Sequence, residues 1–253
     1  MAIIPSDSAT TTQQQSFSWP TLLLLYLGPG LALTAFYSVA APLFLTNGLP
    51  AIWGLLIGVL VVIVPIELSI LLLYSRHITG QARLQPSIAY RTRLSVREYL
   101  WLIPTVVLAT FLLPGLVVIL EPWIRSTFFA WLPTWFTAGL TSLSSYSPAI
   151  QRMTIILWLG SVVFIGPIVE EFYFRGFLLP RTAHRQWFAP LVNALLFAIY
   201  HFWQPYAVLT IALFAIPLAY FVWWKKNIMI SIFAHCIVNM IAFISLFTGI
   251  VQR

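Results

Sequence analysis

The stretch Ile165–Phe177, IGPIVEEFYFRGF, places three charged side chains inside sequence that is otherwise apolar. A charge at the centre of a bilayer is costly, so such residues are normally paired or face a polar cavity. On an α-helix, Glu171 and Arg175 lie four residues apart on one face and can pair. Glu170 points about 100° away and has no partner at that spacing. The stretch therefore predicts a membrane helix with one structural ion pair, Glu171 with Arg175, and one glutamate left over.

The composition is typical of a multi-spanning membrane protein. Of 253 residues, 60% are hydrophobic and only 8% are charged, and the mean hydropathy is +0.93. The apolar runs predict an all-α bundle of seven transmembrane helices, at about 19–45, 51–74, 99–121, 152–179, 188–203, 205–223 and 228–250. Residues 122–150 could contain an eighth, although their prolines, tryptophans and hydroxyl residues favour an interfacial loop.

The remaining sequence predicts one transmembrane domain at 19–253, preceded by a tail. Residues 1–18 are polar and contain one acid and no Lys or Arg, so we expect a disordered tail. They lack the features of a cleaved signal peptide and the arginines of an organellar transit peptide. This favours the plasma (inner) membrane of a prokaryote. The single cysteine, Cys236, excludes an internal disulfide and is interpreted as a packing residue.

The net charge of +7 is explained by topology. With the N-terminus inside, nine basic residues fall in the cytoplasmic connections, namely Arg76, Arg83, Arg91, Arg93, Arg97, Arg181, Arg185, Lys225 and Lys226. This pattern satisfies the positive-inside rule. It predicts a cytoplasmic N-terminus and requires no nucleic-acid partner.

Three predicted spans each contribute a group suited to proton transfer or metal binding: Glu170, His201 and His235. A lone buried histidine is usually a hydrogen-bonded core residue, but two of them together with an unpaired glutamate favour a site. Asn239 lies one helical turn after His235, so both could bind one ligand or one developing oxyanion. Glu67 in the second span is interpreted as structural, hydrogen-bonded in the bundle or paired with Arg175, with a part in chemistry as the alternative.

The depths of these residues agree only in part. At about 1.5 Å per residue, Glu170 lies some 13 Å, His235 some 10 Å and His201 nearer 20 Å from the inner ends of their predicted helices. A tilted or broken fifth span would be needed to bring His201 level with the others.

Three motifs carry a resemblance to a known family. Glu170-Glu171-x-x-x-Arg175, Phe197-x-x-x-His201 and His235-x-x-x-Asn239 occur in order on successive predicted segments. This set resembles the signature of the CPBP intramembrane proteases, also called the Abi family, which include CAAX prenyl proteases and bacteriocin-processing proteins. The resemblance covers a catalytic core at about 150–245.

The resemblance implies a role for each matching position. Glu170 is implied to be the general base, activating water together with His201, while His235 and Asn239 bind the oxyanion. In the metalloprotease form, Glu170, His201 and His235 would instead hold a zinc ion with one open position. Glu171 and Arg175 are implied to form a structural ion pair, with Phe197 packed beside His201.

The implied function is that of an intramembrane endopeptidase acting on a membrane-associated peptide or protein in the lipid bilayer. Family substrates include prenylated CAAX termini and bacteriocin leader peptides. A non-catalytic membrane scaffold or adaptor is the first alternative. A proton-coupled transporter, with Glu170, His201 and His235 as a relay, is the second.

Overall fold

The computed structural model describes residues 17–137, 143–182 and 187–251, so most of the predicted tail lies outside the described residues. The longer helices are α1 (Trp19–Thr46), α2 (Ile52–Thr79), α3 (Val96–Gly115), α4 (Glu121–Phe128), α5 (Pro148–Thr182), α6 (Ala189–Tyr200), α7 (Val208–Lys225) and α8 (Met229–Val251). Within the described ranges there is no strand, only an isolated bridge between Arg91 and Asn227.

The predicted all-α transmembrane bundle is confirmed. Six helical segments are long and apolar enough to cross a membrane, and α6 is a shorter apolar helix. The predicted count of seven corresponds to these six segments plus the shorter α6. In the described parts of 116–150, the chain forms only short pieces before α5, such as α4 and the turn Thr134–Thr137.

The ends of several helices are fixed by capping residues. The Ser18 side chain accepts the Thr21 N–H at the start of α1. Ser95 and Glu98 form a reciprocal capping box at the start of α3. Gly80 ends α2 in the left-handed conformation, with φ of 74°.

Two helices contain π-helical turns directly before a proline. In α2 the turn covers Val59–Ile63 and Pro65 follows it. In α5 a π-helical stretch covers Leu159–Ile165 and Pro167 follows. Proline lacks the N–H that an uninterrupted helix would need there, and a wider turn absorbs the irregularity.

The connections rich in basic residues meet at one end of the bundle. The Thr92 N–H bonds the Lys226 carbonyl, and the Tyr220 hydroxyl bonds the Trp187 carbonyl. Phe17, at the start of α1, packs against Tyr74 with ring centroids 6.0 Å apart. The chain start and three basic connections therefore share one end, as the positive-inside pattern requires, although Arg185 lies outside the described residues.

The connection between α2 and α3 enters the bundle at this end. The Ala89 N–H bonds the Gly176 carbonyl of α5, and the Ile228 N–H bonds the Tyr90 carbonyl, both at 2.8 Å. Ile88 packs with Ile228 in a small core cluster. Burial raises the pKa of Tyr90 to about 12, so its hydroxyl stays neutral. We refer to residues 84–92 as the inner loop.

The observed helix ends remove the difference in depth that the sequence predicted between Glu170 and His201. α5 continues to Thr182 and α6 begins at Ala189, so Glu170 and His201 each lie twelve residues, roughly 18 Å, from the same end of the bundle. The fifth span is broken, because α6 ends at Tyr200. α8 begins beside the inner loop, where the Ile228 N–H bonds the Tyr90 carbonyl. His235 lies near Glu170 in the bundle, because it contacts the neighbouring Glu171.

Candidate active site

One buried oxygen joins the ion pair to the second histidine. Glu171 Oε1 lies 3.2 Å from Arg175 Nη1 and 2.9 Å from His235 Nδ1. The side chains of Glu171 and Arg175 are fully buried. Since a carboxylate accepts hydrogen bonds, the His235 Nδ1–H donates to it. Glu171 thus balances Arg175 and also fixes the orientation of the His235 ring.

Phe197 forms the apolar centre around which the charged groups are arranged. The Arg175 guanidinium lies 4.1 Å from its ring centroid, a cation–π contact. The His201 ring is 4.7 Å away and the His235 ring 6.3 Å away. Phe197 and His201 lie one helical turn apart at the end of α6, so Phe197 packs beside His201. His235 approaches the same ring from α8.

His201 caps the end of α6. Its Nδ1 is 2.7 Å from the Phe197 carbonyl oxygen. A carbonyl can only accept, so Nδ1 carries the hydrogen and Nε2 keeps its lone pair. The residue is only partly buried, which leaves this basic nitrogen available to a water or a substrate.

Asn239 is tied to the irregular part of α5. Its Nδ2 donates to the Val162 carbonyl at 2.7 Å. The Gly166 N–H bonds the Ser161 carbonyl, five residues back. At the same five-residue spacing, the Val162 carbonyl would accept a hydrogen bond from residue 167. Residue 167 is a proline and has no N–H to donate. Asn239 thus satisfies an orphaned carbonyl, and its second amide hydrogen remains for another acceptor.

Glu170 lies beside another carboxylate. The Tyr200 hydroxyl is 3.2 Å from Glu67 Oε1 and 3.4 Å from Glu170 Oε1. Glu67 and Tyr200 are fully buried, whereas Glu170 is only partly buried. Glu67 is thus hydrogen-bonded within the bundle, as expected, and its partner is Tyr200.

The predicted site residues separate into two groups by exposure. Glu171 and Arg175 are fully buried, and His235 is 4% exposed. Glu170, His201 and Asn239 are partly buried and can meet a ligand. Such a division is typical of a site in which buried groups hold the reactive ones in position.

Residues 152–241 match the family model described as "Rce1-like: Type II CAAX prenyl endopeptidase Rce1-like". The matched range contains all three motifs. The chain carries an Rce1-like domain. This confirms the resemblance to the CPBP proteases. No curated protein and no solved structure matches the chain.

Glu170, His201 and His235 are the residues of the Rce1-like domain that could act as metal ligands. Both histidines use Nδ1 for a supporting hydrogen bond and leave Nε2 free, as metal ligands often do. In the part of the chain that the structure describes, however, no three His, Cys, Asp or Glu side chains converge in a geometry that could hold a metal ion. Glu170, His201 and His235 as placed do not fit such a site.

Sequence reasoning missed one residue and one contact at the site. Tyr200, directly before His201, looked like one more aromatic in an apolar span, yet a buried tyrosine hydroxyl normally has a partner. The link from Glu171 to His235 was also missed. Helical spacing predicts neighbours on one helix only, and this contact joins α5 to α8.

Proposed function

We propose that the protein is an intramembrane endopeptidase that hydrolyses a peptide bond of a membrane-associated protein or peptide. The observation that carries the proposal is the pair of partly buried groups Glu170 and His201 at one depth of the Rce1-like domain. Tyr200 connects them, since its hydroxyl reaches Glu170 and its ring lies 5.1 Å from the His201 ring.

Glu170 and His201 activate the water in this proposal. The Tyr200 hydroxyl occupies Glu170 Oε1, which leaves Oε2 for the water. The ring hydrogen of His201 is on Nδ1, so the lone pair on Nε2 can accept a hydrogen bond from the water. As the water oxygen attacks the carbonyl carbon, its proton passes to Glu170, which then delivers it to the leaving amine.

The tetrahedral oxyanion needs hydrogen-bond donors that are already in place. Asn239 supplies its second amide hydrogen, while the first is held by Val162. His235, whose ring Glu171 orients through Nδ1, is the second oxyanion-binding residue in this proposal.

The substrate is proposed at the level of class. The family match supports a peptide carried by a membrane-associated protein, such as a prenylated CAAX terminus or a bacteriocin leader. The basic connections at one end of the bundle support a cytoplasmic N-terminus.

Cleavage of a broad fluorogenic peptide library tests the proposal. We expect detergent-purified wild type to cleave at least one peptide and Glu170→Gln to cleave none while melting near wild type. Wild-type protein that is folded but inactive on every peptide favours the scaffold or adaptor. Substrate flux that requires a proton gradient, without cleavage, favours the transporter.

A further inference from the structure

Glu67 is a buried carboxylate that the mechanism above does not use. It lies on α2, outside the range matched by the family model, and its exposed fraction is zero. The Arg175 cation is paired with Glu171. Within the described ranges no cation lies at ion-pair distance from Glu67, and its Oε2 has no hydrogen-bond partner. A buried carboxyl in a membrane normally has a function, because it is costly to keep.

The polar contact of Glu67 is a hydroxyl that also reaches the proposed base. Tyr200 has one hydroxyl hydrogen and faces Glu67 Oε1 at 3.2 Å and Glu170 Oε1 at 3.4 Å. One hydrogen cannot form a full bond to both oxygens at once. The two carboxylates therefore compete for the same donor.

Packing holds the Tyr200 oxygen in place while its hydrogen can rotate. The ring centroid lies 4.8 Å from that of Phe174, 5.3 Å from that of Trp203 and 6.0 Å from that of Phe197. On the other side, a Cβ on Gly30 of α1 would overlap the Tyr200 carbonyl. Rotation of the hydroxyl is thus the motion that this environment leaves free.

We propose that Tyr200 switches its hydrogen bond between Glu170 and Glu67 during the reaction, so that Glu67 is a positioning residue for the base. This rests on the proposed function. Before attack, Tyr200 O–H donates to Glu170 and aims Oε2 at the water. When Glu170 takes the water proton, the hydroxyl turns to Glu67. The Tyr200 O–H bond stays intact, and only the proton from water is transferred.

A double-mutant cycle with steady-state kinetics tests whether Glu67 acts on the reaction through Tyr200. Glu67→Gln and Tyr200→Phe should each lower kcat on the order of 10- to 100-fold with KM unchanged, as expected when a base is poorly positioned. Because Glu67 acts through Tyr200, the double variant should be no slower than Tyr200→Phe alone. Additive losses, or kcat unchanged in Glu67→Gln, would contradict the proposal.

The matched control is Tyr26→Phe. Tyr26 is also fully buried, and its hydroxyl bonds the neutral side chains of Thr182 and Asn193. The variant removes a buried hydroxyl away from the carboxylates, so kcat should stay near wild type. A loss of kcat equal to that of Tyr200→Phe would show that loss of a buried hydroxyl alone explains the effect.

A spectroscopic test does not depend on any substrate. The protein is labelled with [13Cζ]tyrosine, and the Tyr200 resonance is identified by its absence in Tyr200→Phe. A shared hydroxyl predicts that Glu67→Gln and Glu170→Gln each leave this resonance near wild type, since the remaining carboxylate keeps a charge-assisted hydrogen bond. The double variant offers only neutral amide oxygens as acceptors and should shift the resonance. A full shift in either single variant would overturn the proposal.

The kinetic and spectroscopic tests distinguish failure of the proposed endopeptidase function from failure of the proposed shared hydroxyl. Wild type that cleaves no peptide counts against the endopeptidase, while the resonance pattern still decides whether the hydroxyl is shared. Should Glu67→Gln fail to fold in detergent, Glu67→Met replaces it, since it removes the carboxylate but keeps a similar side-chain length. A resonance near wild type in both single variants, with a shift in the double variant, supports sharing, and a full shift in either single variant contradicts it.

Discussion

Glu171 uses a single oxygen for two partners, Arg175 at 3.2 Å and His235 at 2.9 Å. The sequence predicted the first contact from the four-residue spacing. It could not predict the second, because α5 and α8 are brought together only by the fold. Glu171 is therefore both half of an ion pair and the support of His235.

Removing either charge should destabilise the protein. Glu171→Gln or Arg175→Met leaves a buried partner unpaired, at a cost of about 3–5 kcal/mol, and we expect lower yield and a lower melting temperature in detergent. Lys225→Met is the control, because its pair with Glu98 is partly exposed and joined at 3.5 Å. Melting temperatures unchanged in Arg175→Met would show that the pair is not structural. Glu170→Gln should melt near wild type.

The contact between Asn239 and Val162 yields a test that separates stability from activity. Asn239→Ala leaves the Val162 carbonyl unsatisfied, which should cost about 1–3 kcal/mol and remove the proposed oxyanion donor. Adding Pro167→Ala restores a backbone N–H that can bond this carbonyl. We expect the double variant to regain melting temperature but not cleavage. Recovery of both would mean that Asn239 has only a structural role.

At the level of elements, irregular backbone in α5 coincides with both ends of the motif. The π-helical stretch Leu159–Ile165 frees the carbonyl that Asn239 binds. Near the other end, a second π-helical stretch covers Glu171–Leu178, and the Gly176 carbonyl within it accepts the Ala89 N–H of the inner loop. The structural effect of Pro167 is to leave free a carbonyl that the side chain of another helix binds.

Gly176 should be essential for docking of the inner loop. A Cβ there would lie 2.8 Å from Ile228 Cδ1 and 2.9 Å from Ile88 Cγ2. Gly176→Ala should cost about 1–3 kcal/mol through overpacking. It should also speed maleimide labelling of a cysteine at Ser87, which is 1% exposed, in a Cys236→Ala background.

Gly160→Ala is the matched control on the same helix, because a Cβ at Gly160 meets nothing within 4 Å. It should leave both the melting temperature and the labelling rate near wild type. Equal labelling in the two alanine variants would show that Gly176 does not hold the inner loop in place.

At the level of the whole molecule, hydropathy and three short motifs predicted the bundle and the residues that gather around Phe197. They did not predict Glu67 beside Glu170, since the two lie on helices far apart in sequence and are joined by Tyr200. The inner loop was also beyond prediction, because residues 84–92 read as a basic connection although Ser87 and Ile88 are buried. Long-range contacts of this kind depend on the packing of the complete bundle.

The topology can be tested by labelling of intact cells. In a Cys236→Ala background, a cysteine replacing Arg93, at the end with the basic connections, should be protected from a membrane-impermeant reagent. A cysteine replacing Ser126 on α4 should react, since that helix lies at the opposite end. The reverse pattern would place the N-terminus outside and overturn the orientation inferred from charge.

The central claim is that Glu170 activates water for peptide hydrolysis. Its most direct test measures cleavage and metal content on the same purified sample, wild type beside Glu170→Gln. We predict cleavage by wild type, none by the variant, and equal melting temperatures. Stoichiometric zinc, with activity lost on chelation and restored on its return, would assign the chemistry to a metalloprotease. Equal cleavage by wild type and Glu170→Gln would contradict the account.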